Sequence, residues 1–211
     1  MPGQLIVLCG PSGVGKSTLS LRMADELGVA YVPAVTTREP RPGDNKGKAY
    51  EHVSEDVFFE RLDAGKFLEY AQNYDDYYAT PKHPALDYLA DGRDVLLEID
   101  VQGALQVRYH YPEALLVFVL PPTEKTLYDR LVERGRDEPR VIAKRYRAAR
   151  REIHMAKGSR AFDAMLVNDD LEQAVGELKK LVRYRQGEHL GDVEQVQGPG
   201  LFDPPTAQEV D

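Results

Sequence analysis

The octet Gly10-Pro-Ser-Gly-Val-Gly-Lys-Ser17 constrains this chain more than any other stretch. It fits the pattern G-x-x-x-x-G-K-[S/T], in which a glycine-rich turn links a buried strand to the start of a helix. Both flanks agree. Leu5-Ile-Val-Leu-Cys9 is a continuous apolar run, and residues 18–27 carry apolar side chains at helical spacing. Three glycines let the backbone wrap an anion with its N–H groups pointing inward, which Cβ-bearing residues would obstruct. Lys16 then reaches the β- and γ-phosphates of a triphosphate, and the Ser17 hydroxyl is placed to ligate Mg2+. A glycine-rich turn that merely carries a lysine would not require the strand and helix on either side. Gly10, Pro11, Ser12, Gly13, Val14, Gly15, Lys16, Ser17 and Thr18 are therefore the expected triphosphate cradle.

The rest of the composition narrows the setting. A chain of 211 residues, 42% hydrophobic, can bury one substantial core with room for small insertions. Its apolar runs are too short to cross a bilayer, no signal peptide is visible, and the single cysteine, Cys9, reads as a buried small hydrophobe. These features point to a cytoplasmic protein. A formal net charge of −8 argues against nucleic acid as a partner. Six of the acids follow Gly187, where there is no lysine or arginine, so the body is nearly balanced and its arginines are free for anionic ligands.

Strand and helix signals alternate at the two ends of the body. Strands are expected at 5–9, 31–35, 95–99, 115–120 and 164–167, with helices at 16–27, 101–109, 124–134, 139–157 and 171–185. This rhythm predicts an α/β fold, a parallel sheet flanked by helices. Residues 34–84 break it and read as an inserted α+β unit. Within them a strand is expected at 67–73, a helix capped by Ser54 at 55–64, an aromatic loop at 74–80, and a helix from 84 to 90 leading back out. Residues 187–211, rich in Gly, Pro, Gln and acid, read as a poorly ordered tail.

A triphosphate site needs a carboxylate near its metal. Val95-Leu-Leu-Glu-Ile-Asp100 is an apolar strand that runs into acid, and its carboxyl end would lie beside the glycine-rich turn. Asp100 is the preferred ligand, with Glu98 one step back on the same face. Arg38 and Arg41 flank a proline turn, where guanidinium forks can hold a second phosphate, and Tyr50 and Tyr78 can donate to it. The basic stretch from Arg130 to Arg151 must be mostly solvated faces and i,i+4 partners. Two or three of its arginines could close over a transferring phosphoryl group. None of the five histidines sits in a metal-ligand pair.

Taken together, several motifs resemble guanylate kinases. They are residues 10–17, Thr36-Thr37-Arg38, Arg41-Pro-Gly, Gly47 with Tyr50, Phe67-Leu-Glu69, Tyr78 with Thr80, Glu98-Ile-Asp-Val-Gln-Gly103, Leu120-Pro-Pro, Arg130-Leu, Arg134-Gly135 and Val167-Asn-Asp-Asp170. The resemblance runs unbroken from Gln4 to Arg185. It implies a nucleotide-binding core (1–33, 85–122 and 160–186), a GMP-binding insertion (34–84) and a lid (123–159) within a domain of residues 1–186. It implies transfer of the γ-phosphoryl group of ATP to GMP, and to dGMP, with Mg2+. It places Arg38, Arg41, Tyr50 and Tyr78 on the GMP phosphate, Glu69 and Thr80 on guanine, and Asp100 near GMP and the metal. Arg134 and Arg145 fall on lid arginines that reach the ATP phosphates, and Asn168 on the adenine contact. Lys16, Arg41, Arg134 and Arg145 are the catalytic set.

Guanine chemistry agrees with Glu69, because an ionised carboxylate accepts from the adjacent N1–H and N2–H donors, whereas adenine presents a bare acceptor there. Taken alone, Glu69 reads as an exposed strand carboxylate. Three positions depart from the family pattern: Ala34 replaces a serine, Asp44 a glutamate, and Ala79 a glycine that would have allowed a positive φ. All three lie in the insertion. They leave open a kinase for another nucleoside monophosphate or a ribose bisphosphate. A non-catalytic phosphopeptide-binding module is the other alternative, and the intact Lys16 and Ser17 stand against it.

Overall fold

Strand β1 (Leu5–Cys9) is apolar and buried at every position, as a strand covered by helices on both faces requires. In the computed structural model, which describes residues 3–40, 50–73, 75–133 and 138–185, β1 is the middle strand of a five-stranded parallel sheet. It lies between β7 (Val95–Ile99) and β8 (Leu115–Leu120), with Val7 opposite Leu97 on one side and Leu116 on the other. The edges are β2 (Ala30–Tyr31) beside β7 and β9 (Ala164–Val167) beside β8. Helices α1 (Lys16–Leu27), α4 (Val101–His110) and α7 (Leu171–Arg185) pack on this sheet and complete one continuous apolar core. Burial pushes the Cys9 thiol up, so it behaves as a core hydrophobe and not as a nucleophile.

A second sheet, ordered β4-β3-β6-β5, is built by β3 (Ala34–Thr36), β4 (Tyr50–His52), β5 (Phe67–Asn73) and β6 (Asp76–Pro81). Its small core is Val35, Phe58 and Ala79, with Phe58 supplied by α2 (Glu55–Asp63). The Phe58 ring stacks at 4.9 Å from Phe67 and 5.6 Å from Tyr77. Ser54 caps α2 by accepting from Val57 N–H. The chain returns to the first sheet through α3 (Lys82–Ala90).

Two sequence expectations change here. The single strand at 31–35 is two short strands in different sheets, broken at Val32 and Pro33; proline has no N–H to continue a ladder. The aromatic loop at 74–80 is mostly β6, which pairs antiparallel with β5 from Asn73↔Asp76 to Phe67↔Pro81. Tyr77, Tyr78 and Thr80 are strand formers once a neighbouring strand and Phe58 offer a surface to pack on. Ala79 sits in that strand, buried and with ordinary φ, so the change from glycine costs no backbone strain.

Helices α5 (Glu124–Glu133) and α6 (Pro139–Ser159) form the third part. Thr123 Oγ1 caps α5 by accepting from Thr126 N–H at 2.9 Å. Helix α6 starts with proline at its first position, where a missing N–H does no harm. It buries Ile142, Ala149, Ile153 and Ala156 along one stripe and leaves its basic residues outward or toward the cleft. Tyr146 joins the pair, its O–H donating to Glu124 at 2.7 Å. Among the described residues no helix is long and apolar enough to cross a membrane.

Candidate active site

The glycine-rich turn leaves β1 and enters α1 with positive φ at Gly10, Gly13 and Gly15. Helix α1 has Gly15 at its N-cap and no side-chain cap. Its first N–H groups therefore remain available to an anion, and the helix dipole favours one. Lys16 Nζ folds back to donate to the carbonyls of Gly10, at 2.5 Å, and Pro11, at 3.2 Å. Gly15 is needed on two counts: its φ is 94°, and a Cβ there would come within 3.0 Å of Asn168 Nδ2.

Asn168 follows β9 and is only 7% exposed. Its Nδ2 donates to Val14 O at 2.7 Å, its backbone N–H to Leu120 O, and its carbonyl accepts from Arg130. The side chain thus lies behind the phosphate-binding turn and braces it. The resemblance implied an adenine contact for Asn168; in the structure its Nδ2 donates to the P-loop backbone. Arg130, one of the basic residues after β8, is likewise a structural donor.

Across a cleft of about 970 Å³ stands the second sheet. Thr36 and Thr37 end β3 by bonding to both backbone groups of Tyr77: Thr36 Oγ1 donates to its carbonyl and Thr37 Oγ1 accepts from its N–H. Thr36 Oγ1 also accepts from Arg38 N–H, which fixes the turn that carries the guanidinium. The Arg38 guanidinium lies 5.3 Å over the Tyr50 ring, and Tyr78 meets that ring edge-on at 6.1 Å. His52 Nδ1 lies 2.6 Å from Arg38 O; a carbonyl can only accept, so this nitrogen carries the proton.

Glu69 is not the exposed strand carboxylate that its strand suggests in isolation. It is 5% exposed, and its Oε1 accepts from Thr80 Oγ1 at 2.6 Å. Burial pushes its carboxyl up to about 7, opposed by the Thr80 hydrogen bond and assisted by the nearby charge of Asp100. Strand β5 is an edge strand, and α4 covers that edge with side chains. Gln106 Nε2 donates to Tyr70 O at 2.6 Å while its Oε1 accepts from Tyr70 N–H, and Gln102 Nε2 donates to Gln72 O.

At the carboxyl end of β7, Asp100 Oδ1 accepts from Gly103 N–H at 2.9 Å and caps α4. Its Oδ2 is buried without a hydrogen-bond partner among the described residues. The Ser17 hydroxyl donates at 2.8 Å to Glu98, the carboxylate ranked second from sequence. Among the described residues no three His, Cys, Asp or Glu side chains converge as metal ligands. From α6, Lys144, Arg145 and Glu152 face the same cleft. Burial raises the Glu152 carboxyl to about 7 even though the Lys16 charge pulls it down.

The cleft gathers Gly10, Ser12, Gly13, Gly15, Lys16, Ser17, Arg38, Tyr50, Glu69, Tyr78, Asp100 and Arg145, all expected from sequence, and Ala34 lines it too. Pro11 and Val14 are buried in the turn, Thr18 is exposed in the first turn of α1, and Thr80 stands behind Glu69. Arg41, Asp44, Arg134 and the 187–211 tail lie outside the described residues. Sequence reasoning missed Glu98 as the serine's partner, Glu152, and the Gln102–Gln106 clasp. Glutamines four apart on one helix face were the available signal for the clasp.

The profile of the family described as guanylate kinase matches residues 2–185. A guanylate kinase from Trichodesmium erythraeum is 42% identical over 181 residues, spanning 85% of this chain and 96% of the relative. One from Nitratidesulfovibrio vulgaris is 44% identical over 178 residues, spanning 84% of each. The crystal structure of guanylate kinase from Anaplasma phagocytophilum superimposes with a TM-score of 0.73 at 27% identity, covering 88% of this chain and 87% of that one. With a profile that spans most of its length and relatives this similar, the chain belongs to the guanylate kinase family.

Proposed function

We propose that the ATP-dependent phosphorylation of GMP carried out by this chain runs across the cleft, with the P-loop as donor site and the second sheet as acceptor site. The observation that carries this assignment is the buried Glu69–Thr80 pair facing the amide cradle of residues 10–18 across one cavity. The cradle amides and Lys16 hold the β- and γ-phosphates. Arg38, Tyr50 and Tyr78, with Arg41, hold the acceptor phosphate in line, and Glu69 accepts from guanine N1–H and N2–H. An oxygen of the GMP phosphate attacks the γ-phosphorus, the bond from that phosphorus to the bridging oxygen breaks, and ADP leaves. A phosphate monoester is already largely ionised at neutral pH, so no general base is required. Arg145 from α6, with Arg134, offsets the charge on the equatorial oxygens. In this reading residues 1–33, 85–122 and 160–186 are the core, 34–84 the acceptor unit and 123–159 the lid.

The residues present fit Mg2+. The orphaned, buried Asp100 Oδ2 and the Ser17 hydroxyl beside Glu98 are oxygen donors, and Mg2+ characteristically takes one or two protein oxygens plus those of the nucleotide. When bound, the cation neutralises charge on the transferring group and on the departing ADP. None of the assigned residues reads the ribose, so dGMP is expected as a second acceptor. The test is ADP release with GMP, dGMP, AMP, CMP and UMP. GMP and dGMP should lead by orders of magnitude, and faster turnover of AMP would overturn the acceptor assignment.

A further inference from the structure

Helix α4 contains a glycine, Gly103, at its third residue. Its φ is not positive, so backbone freedom does not explain it, and glycine weakens a helix interior relative to alanine. Space does explain it. A Cβ on Gly103 would fall under 3.0 Å from Glu69 Oε2 and 2.8 Å from Glu69 Cδ. The carboxylate is seated against the bare Cα. Its other oxygen is held by Thr80, and Gln102 and Gln106 clamp the following residues of β5 to the same helix. Glu69 therefore cannot yield to a methyl group by moving its strand away from α4. It can yield only by swinging its carboxyl group into the cleft.

We infer that Gly103 is a specificity-positioning residue: its missing side chain is the berth that sets where Glu69 presents its oxygens to guanine. The inference rests on the reading of Glu69 as the guanine acceptor. Because the atoms a methyl group would meet are the far end of a side chain, Gly103→Ala keeps the fold and displaces the recognition group. A misplacement of about 1 Å is enough to cost recognition heavily.

The experiment is a double-mutant cycle on the full chain, reading GMP and ATP affinity separately by calorimetry. Gly103→Ala should weaken GMP binding by about tenfold or more, narrow the preference for GMP over IMP, and leave ATP affinity unchanged. In a Glu69→Ala background, where nothing occupies the berth, Gly103→Ala should change GMP affinity by less than about twofold. GMP affinity unaltered by Gly103→Ala but reduced by Glu69→Ala would overturn this inference alone. GMP affinity unaltered by Glu69→Ala would overturn the Glu69 reading and the inference with it. Should Gly103→Ala alone fail to fold, the Glu69→Ala pair decides: recovery of the fold confirms the steric berth, and failure overturns it.

Discussion

The two halves of the cleft solve recognition with different parts of the chain. The donor half is made from backbone: N–H groups of one short turn, with Lys16 and Ser17 at adjacent positions. The acceptor half is made from side chains that reach it from β3, β4, β5 and β6, and it depends on α4 for its edge. Each half nevertheless has a polar side chain packed against a glycine where a Cβ would collide, Asn168 on Gly15 and Glu69 on Gly103. A phosphate is a symmetrical anion that amides can bind almost anywhere along a helix N-terminus. A base edge is an asymmetric donor pattern that needs a desolvated group at one fixed position. The first can be encoded locally. The second cannot.

The largest expected effect lies on the donor side. Lys16→Met should lower kcat by about 10³-fold or more, because it removes a charge aimed at the transferring group. GMP affinity in the absence of ATP should stay within about twofold, since Lys16 is assigned no acceptor contact. Stopped-flow turnover together with GMP calorimetry checks both halves of the statement. A matching loss of GMP affinity would mean that the halves are not independent.

That independence also explains what could be read from the chain. The P-loop, β1, β7, β8 and the helices around them were legible because their apolar runs and turn residues are contiguous. Glu69 could be proposed as a base contact only through resemblance. Its burial depends on Thr80, eleven residues away, and on Gly103, thirty-four away, and no local pattern records either partner. Strand β6 was hidden for the same reason: Tyr77 and Tyr78 look like a loop until Phe58 and β5 are beside them. The bracing of the P-loop by Asn168 was not legible either, because a motif reports that a residue sits near a nucleotide, not which atom it serves.

On the acceptor side, Glu69→Gln should raise the KM for GMP by about 10²-fold, since an amide places a donor where guanine also has donors. It should also make the protein more stable. The Glu69 carboxyl titrates near 7 when folded against an ordinary 4.5 when unfolded. Between those values the folded chain holds the extra proton, so stability falls as pH rises and the charged form is carried at a cost above about pH 7. Removing that charge should recover up to about 3 kcal/mol at pH 8 and almost nothing near pH 4.5. Urea unfolding of both proteins at the two pH values measures the difference, and an equal difference at both would contradict it. Activity should show the same group: kcat/KM for GMP should decline as pH falls below about 7. The Gln variant should lack the step near 7 and decline only closer to about pH 6, where the acceptor phosphate itself gains a proton.

Asn168→Asp is the corresponding change behind the P-loop. It replaces the donor on Val14 O with a carboxylate oxygen at nearly the same position, so two acceptors face each other. The KM for ATP should rise about tenfold with the KM for GMP unchanged. Inhibition by inorganic tripolyphosphate, which has no base, should weaken in parallel. An adenine contact would instead leave tripolyphosphate inhibition intact and relax the preference for ATP over GTP.

The smallest effect is expected where the halves are joined. Gln106 satisfies both backbone groups of Tyr70 on the open edge of β5. This contact is exposed, so water can replace much of what Gln106→Ala removes, and the loss should be about 1 kcal/mol, or roughly 2–4 °C in Tm. The functional trace should still be specific. Tyr70 follows Glu69, so a looser β5 edge lets the carboxylate wander, and the KM for GMP should rise by about two- to threefold while the KM for ATP holds. Equal small rises in both constants would show that α4 steadies the molecule as a whole. A rise confined to GMP would show that the clasp belongs to the acceptor half, as the shared placement of Gln106, Gly103 and Asp100 on one helix face and its cap implies.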